Sequence, residues 1–190
     1  MTMARPFESD YALEDVHEIS QRDSGLQRFY FPGASTVGGR DGVLLRVTAA
    51  TGAAWIGCFA FGSFGHESMT QVSTCPNSQE ICVIAFGKGY FVRADDPLRW
   101  QLNRATPVVA LKAIQPKNLL VCADYTKVVA YGPDGVVWES ARVSSDGIQI
   151  VDVADERLEV IGWDAAVSHR VRLSIGLDDG SILARHPISD

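Results

Sequence analysis

A chain of 190 residues, 46% hydrophobic and 21% charged, has the make-up of an ordinary globular protein that is large enough to bury a core of its own. Its 17 Lys and Arg are scattered singly against 23 Asp and Glu, for a net charge of −6, so no basic stripe offers the phosphate neutralisation that nucleic acid or an anionic membrane surface demands. No apolar run approaches the roughly 18 residues of a membrane span, and the opening "MTMARPFESDYALEDVHEIS" lacks the parts of a secretory signal, so a cytoplasmic protein is expected.

Residues 1–25 read as a segment apart from the rest. In "SDYALEDVHEI" (9–19) Leu13, Val16 and Ile19 stand three apart with acids between them, which predicts a short amphipathic helix or a stretch draped over the body. "LQRFYFPG" (26–33) predicts a strand and opens a single β-repeat domain over 26–190. Within it lie Cys58, Cys75, Cys82 and Cys122. Cys82 and Cys122 sit in apolar runs where a reduced thiol behaves as a small hydrophobe, and a chain of this size needs no disulfide staple. Cys58, His66, Cys75 and Cys82 are separated by seven, eight and six residues, not by the short knuckle of structural zinc, so no metal is expected.

Farther along, one pattern recurs. Thr51-Gly52-x-x-Trp55, Asp96-Pro97-x-x-Trp100, Asp134-Gly135-x-x-Trp138 and Asp179-Gly180-x-x-Leu183 follow one another at 45, 38 and 45 residues. Before each turn come apolar or small residues two apart: Leu45, Val47, Ala49; Tyr90, Val92, Ala94; Val128, Ala130, Gly132; Leu173, Ile175, Leu177. A period of two means strand, and Thr-Gly or Asp-Gly between such runs means a hairpin, because Gly accepts the positive φ of a tight turn. "ICVIAF" (81–86), "LLVCAD" (119–124) and "LEVIGW" (158–163) supply a further strand per unit, and "PVVALKAI" (107–114) and "GIQIVDV" (147–153) another.

Four units near 26–59, 69–104, 106–143 and 146–188 result, each of four strands. Self-similarity at this period predicts an all-β, propeller-like stack of about four four-stranded antiparallel blades. A β-sandwich or an open barrel of hairpin repeats is the alternative. Trp55, Trp100 and Trp138, at one place in their units, are expected in the core, and Trp163 nearer the surface.

"LLRVTAATGAAW" (44–55) and "VVAYGPDGVVW" (128–138) resemble quinoprotein-type β-propeller repeats in their strand, Thr-Gly or Asp-Gly turn and Trp. The resemblance spans about 40–185 and implies the fold. This chain has one residue fewer between Gly and Trp than that pattern, and nothing in it matches a quinone or metal site, so no cofactor is implied.

Function is expected where repetition fails, since positions that serve packing alone have no reason to differ between units. "AFGSFGHESMTQVSTCPNSQE" (60–80) and "WDAAVSHRVR" (163–172) are such departures. In a four-stranded meander the connection to the next unit and the loop between strands two and three leave the sheet at the same end. That argument gathers His66, Glu67, Arg104, Asp124, Tyr125, Arg142, Asp146, Trp163, Asp164 and His169 as binding residues.

Gly62-Ser63-Phe64-Gly65-His66 lacks the spacing and the strand-to-helix setting of a nucleophile elbow. The residues favour a non-enzymatic binding module that presents a loop face to a protein or a small ligand. The alternatives are a hydrolase or lyase built on His66, Asp146, Asp164 and His169, and a structural subunit that self-associates as a homodimer through an open sheet edge.

Overall fold

The computed structural model describes residues 1–18, 20–33, 41–63 and 69–188. The protein is all-β, propeller-like in the make-up of its sheets, and no helix among the described residues is long and apolar enough to cross a membrane. Its four sheets are shared by two compact units, Met1–Asn103 and Arg104–Asp190.

In the first unit one sheet has the order β2 (Tyr11–Asp15), β4 (Gly42–Ala49), β5 (Ala54–Ala60), β3 (Gln27–Phe31). The other runs β1 (Thr2–Ala4), β6 (Gln71–Thr74), β7 (Glu80–Ala85), β8 (Lys88–Arg93), β9 (Trp100–Leu102). β6 to β9 form the expected antiparallel meander, whereas β1 lies parallel to β6 and β3 parallel to β5. These two parallel pairings close sheet edges that the repeat alone would leave open.

The helix expected within 9–19 is instead strand β2, paired antiparallel to β4 with Leu13 opposite Val47. Tyr11 and Leu13, two apart, are both buried, and β4 satisfies the backbone groups between them. Val16 lies beyond the strand with its N–H on the Leu44 carbonyl, and Ile19 lies outside the described residues. Helical turns among the described residues are two three-residue 3-10 turns, Gln21–Asp23 and Gln115–Lys117. The first is pinned by Ser20 Oγ donating to Asp23 Oδ2 at 2.6 Å, with Arg22 and Arg46 each 3.7 Å from Oδ1.

Both sheets of the second unit are four-stranded antiparallel meanders in chain order. One is β10 (Ala110–Ile114), β11 (Leu119–Ala123), β12 (Val128–Gly132), β13 (Gly135–Glu139). The other is β14 (Ile148–Ala154), β15 (Arg157–Asp164), β16 (His169–Gly176), β17 (Ile182–Pro187).

The repeated triplets point inward as their period requires, and all twelve residues are buried. The tryptophans then tie each sheet to the next within a unit. Trp55 Nε1 donates to the Ala94 carbonyl at 2.9 Å, and Trp138 Nε1 to the Leu177 carbonyl at 2.6 Å. Ala94 and Leu177 hold the same place in their repeats, 39 residues after the indole in both cases. Packing therefore repeats at the level of a single hydrogen bond.

Around Trp55 the first unit gathers an aromatic core. Phe31 and Phe59 stack at 4.6 Å, Phe29 meets Trp55 edge-on at 5.6 Å, and the Tyr90 hydroxyl donates to the Ala60 carbonyl at 2.8 Å. Trp100, expected in the core, is only half-buried. It stands in three-residue β9, which has one neighbouring strand in its sheet, and it packs on the Phe31 and Tyr90 rings. The four cysteines are buried and none is in a disulfide.

Candidate functional site

In the second unit three loops meet at one end: β11–β12 (124–127), β13–β14 (140–147) and β15–β16 (165–168). The Thr126 carbonyl accepts from the N–H groups of Val143 and Ser144 at 2.8 and 3.2 Å, which joins the first loop to the second. Ser145 N–H donates to the Trp163 carbonyl at 2.6 Å and Ala165 N–H to Ser145 Oγ at 3.1 Å, which joins the second to the third.

Ser144 is the hub. Its buried hydroxyl donates to the Gly147 carbonyl at 2.7 Å and accepts from Trp163 N–H at 2.9 Å and Asp146 N–H at 3.2 Å. The approach is possible because residue 162 is glycine: a Cβ there would lie 2.8 Å from Ser144 Cβ. Trp163 is thus fixed by both its backbone groups while its side chain stays in solvent, 40% exposed.

Charge surrounds this hub. The Arg142 guanidinium donates to the carbonyls of Ser144 and Ser145 at 3.0 and 3.3 Å. Asp164 accepts from Ala166 N–H at 2.9 Å and forms an ion pair with Arg185. Arg142, Val143, Ser144, Ser145 and Arg185 line a small open depression of about 170 Å³. His169 opens β16, exposed and opposite Asp164 in register.

The structure therefore brings Arg142, Asp146, Trp163, Asp164 and His169 to one loop end. Asp124 is near them through Thr126, but its carboxylate is taken up locally: Oδ1 accepts from Thr126 N–H at 2.6 Å, Thr126 Oγ1 at 3.0 Å and Lys127 N–H at 2.8 Å, an Asx-turn that holds the β11–β12 loop. Tyr125 is half-buried in that loop. Arg104 is exposed, with its backbone N–H on the Tyr131 hydroxyl at 2.7 Å. His66 and Glu67 lie outside the described residues.

Ser144, Ser145 and Arg185 were not among the residues expected from sequence. The serines read as ordinary turn formers in "ARVSSDG", and Arg185 sits in a strand with no local mark. Chemically, the end offers an exposed indole on a backbone tied at both its polar groups, an arginine that donates to two carbonyls, and an acid paired with a second arginine.

No protein-family model matches the chain, and no curated protein matches it. Among solved structures, the chain is similar over its whole length to the N-terminal domain of Nup159, with a TM-score of 0.43 and 12% identity. A structure of an S. cerevisiae dbp5 variant bound to nup159, a gle1 variant, ip6 and adp is similar at a TM-score of 0.43 and 10% identity. The chain spans 55% of the length of each of these matched chains.

Proposed function

We propose that the chain is a non-enzymatic interaction module that docks a protein partner on the loop end of its second unit, with Trp163 as the anchor. The observation that supports this is an indole 40% exposed on a backbone fixed by Ser144 and Ser145, in one hydrogen-bonded network with Arg142. Tryptophan and arginine are what interface hot spots are made of, and a backbone already fixed leaves less conformational freedom to lose on binding. The adjoining depression, about 170 Å³, is well below the roughly 300–1,000 Å³ of small-molecule sites. That size favours a protein over a small ligand. Asp164, already paired with Arg185, is poorly placed to serve as a free acid or base, which favours binding over hydrolase or lyase chemistry.

A cytoplasmic setting belongs to the same proposal and is supported by four buried, unbridged thiols. So does self-association: β17 has only β16 beside it in its sheet, and its exposed Ile182 and Leu183 offer an edge that a second copy would cover. The kinship with quinoprotein-type repeats is proposed for the repeat alone, on the equal places of Trp55 and Trp138.

A photo-crosslinking residue placed at position 167, and in a second sample at position 141, both exposed in the same loops, tests the reading. Both should capture the same discrete protein from native extract, while position 98, exposed in the first unit, should not. Identical products from 167 and 98, or none from 167, would refute it.

A further inference from the structure

The last sheet of the second unit keeps one face open. Both faces of β11 and β12 are buried: Val121 and Ala130 point into the core of the unit, and Leu120, Cys122, Val129 and Tyr131 on the opposite face are closed off as well. In β15 and β16 the core side is filled likewise by Leu158, Val160, Val171 and Leu173, but the other side alternates into solvent. A solvated sheet face is ordinary, and any polar residue would serve it. This one carries arginines.

Register sets the side chains of that face. Trp163 stands opposite Arg170, Ile161 opposite Arg172, and Arg172 opposite His186 of β17. Trp163, both arginines and His186 are exposed, and Ile161 is half-buried. Arg170 donates to the uncharged Gln149 Oε1 at 3.2 Å, and Arg172 has no hydrogen bond or ion pair among the described residues. Residues two apart on a strand leave it on the same side about 7 Å from each other. The two cations are therefore rooted side by side, an arrangement of like charge that works against the sheet. The acids of this face, Asp152 and Glu159, stand opposite one another one row farther from the loop end. Asp152 accepts from Val153 N–H and Glu159 from the Ser174 hydroxyl, and neither forms an ion pair with an arginine among the described residues. Asp164, on the core side of β15, is taken by Arg185.

We propose that the partner docks on this face through an extended acidic segment with carboxylates two residues apart, Asp/Glu-x-Asp/Glu, laid along β16 over Arg170 and Arg172, with an apolar side chain of the segment on Trp163 and Ile161. The inference deepens the docking at Trp163 and rests on it. Charge selects acid over base, since two adjacent arginines without a carboxylate are a local excess that a foreign carboxylate would pair. Spacing selects an extended segment: its carboxylates two apart repeat at the same distance as the arginines, and a guanidinium takes a carboxylate through two parallel hydrogen bonds.

The test uses the whole chain and a fluorescein-labelled peptide of glycine and serine that carries one phenylalanine and two glutamates two apart, read by anisotropy. A control peptide has lysines in place of the glutamates. The glutamate peptide should bind at millimolar concentration or below, and the lysine peptide roughly tenfold or more weakly. The complex should loosen several-fold as salt rises from about 50 to 500 mM. Arg170→Gln/Arg172→Gln should weaken binding roughly tenfold with a melting temperature within a few degrees of the natural chain, and Arg170→Lys/Arg172→Lys should weaken it less than about threefold. Excess glutamate peptide should also reduce capture of the partner by the crosslinker at position 167, and inorganic phosphate at matched ionic strength should not. Capture that the peptide leaves untouched would overturn this inference while docking at the loop end stands, whereas no capture at all would remove both. Equal binding of the lysine peptide, binding unchanged by the two glutamines, or displacement by phosphate beyond that by chloride would each overturn it as well.

Discussion

Glycines and tryptophans carry the finest constraints. Gly180 sits in the Asp179-Gly180 turn with φ +72°, and a Cβ there would lie 2.6 Å from the Trp138 ring. Gly180→Ala therefore meets both backbone strain and a packed indole, and should destabilise the second unit by about 1–3 kcal/mol in urea unfolding. Loss of under about half a kilocalorie would mean that Trp138 moves aside freely. Trp138→Phe keeps most of the apolar volume but leaves the buried Leu177 carbonyl without its donor, a loss of about 1–3 kcal/mol. The same four tryptophans predict a quenching order. Iodide should reach Trp163 first, Trp100 less, and Trp55 and Trp138 least, following their exposure. Equal access to all four would contradict the burial described.

At the scale of elements, the 3-10 turn Gln21–Asp23 rests on Asp23. Its carboxyl is held below the ordinary carboxylate range by the Ser20 hydroxyl, with help from Arg22 and Arg46. A folded pKa below the unfolded one means that the stabilisation is full at neutral pH and is lost as pH falls through the acid range. Ser20→Ala should flatten the fall in melting temperature between neutral and acid pH, and an unchanged slope would show that Asp23 is not linked to folding.

Most strands were legible in the sequence because one face of each is buried and the alternation survives: the strands expected within 119–124 and 158–163 are observed as Leu119–Ala123 and Arg157–Asp164. β2 was not, because Leu13, Val16 and Ile19 imitate helical spacing while only Tyr11 and Leu13 face inward from the strand. The parallel pairings of β1 with β6 and of β3 with β5 leave no local trace, since they join segments far apart in the chain. Of the candidate site, the exposure of Trp163 followed from its place outside the repeat, and the meeting of the three second-unit loops from strand order. The Ser144 hub did not, because its partners Gly147 and Trp163 are set by tertiary approach over Gly162. Asp124 shows the reverse: Asp124-Tyr125-Thr126 spells an Asx-turn, and that local role takes up its carboxylate.

On the scale of the whole molecule, an all-β chain whose described residues hold only short 3-10 turns should give a far-ultraviolet spectrum with helix well under about a quarter. The four buried thiols should react slowly with a thiol reagent in native buffer and all four promptly in guanidinium, so their rate reports opening of the core. If the loop end of the second unit serves binding as proposed, Trp163 and His169 are dispensable for folding. The decisive measurement melts the Trp163→Ala/His169→Ala variant alongside the natural chain and titrates each against the partner that crosslinks at position 167. Melting temperatures within a few degrees of each other, with binding lost in the variant, are expected. A large drop in melting temperature with binding intact would contradict it.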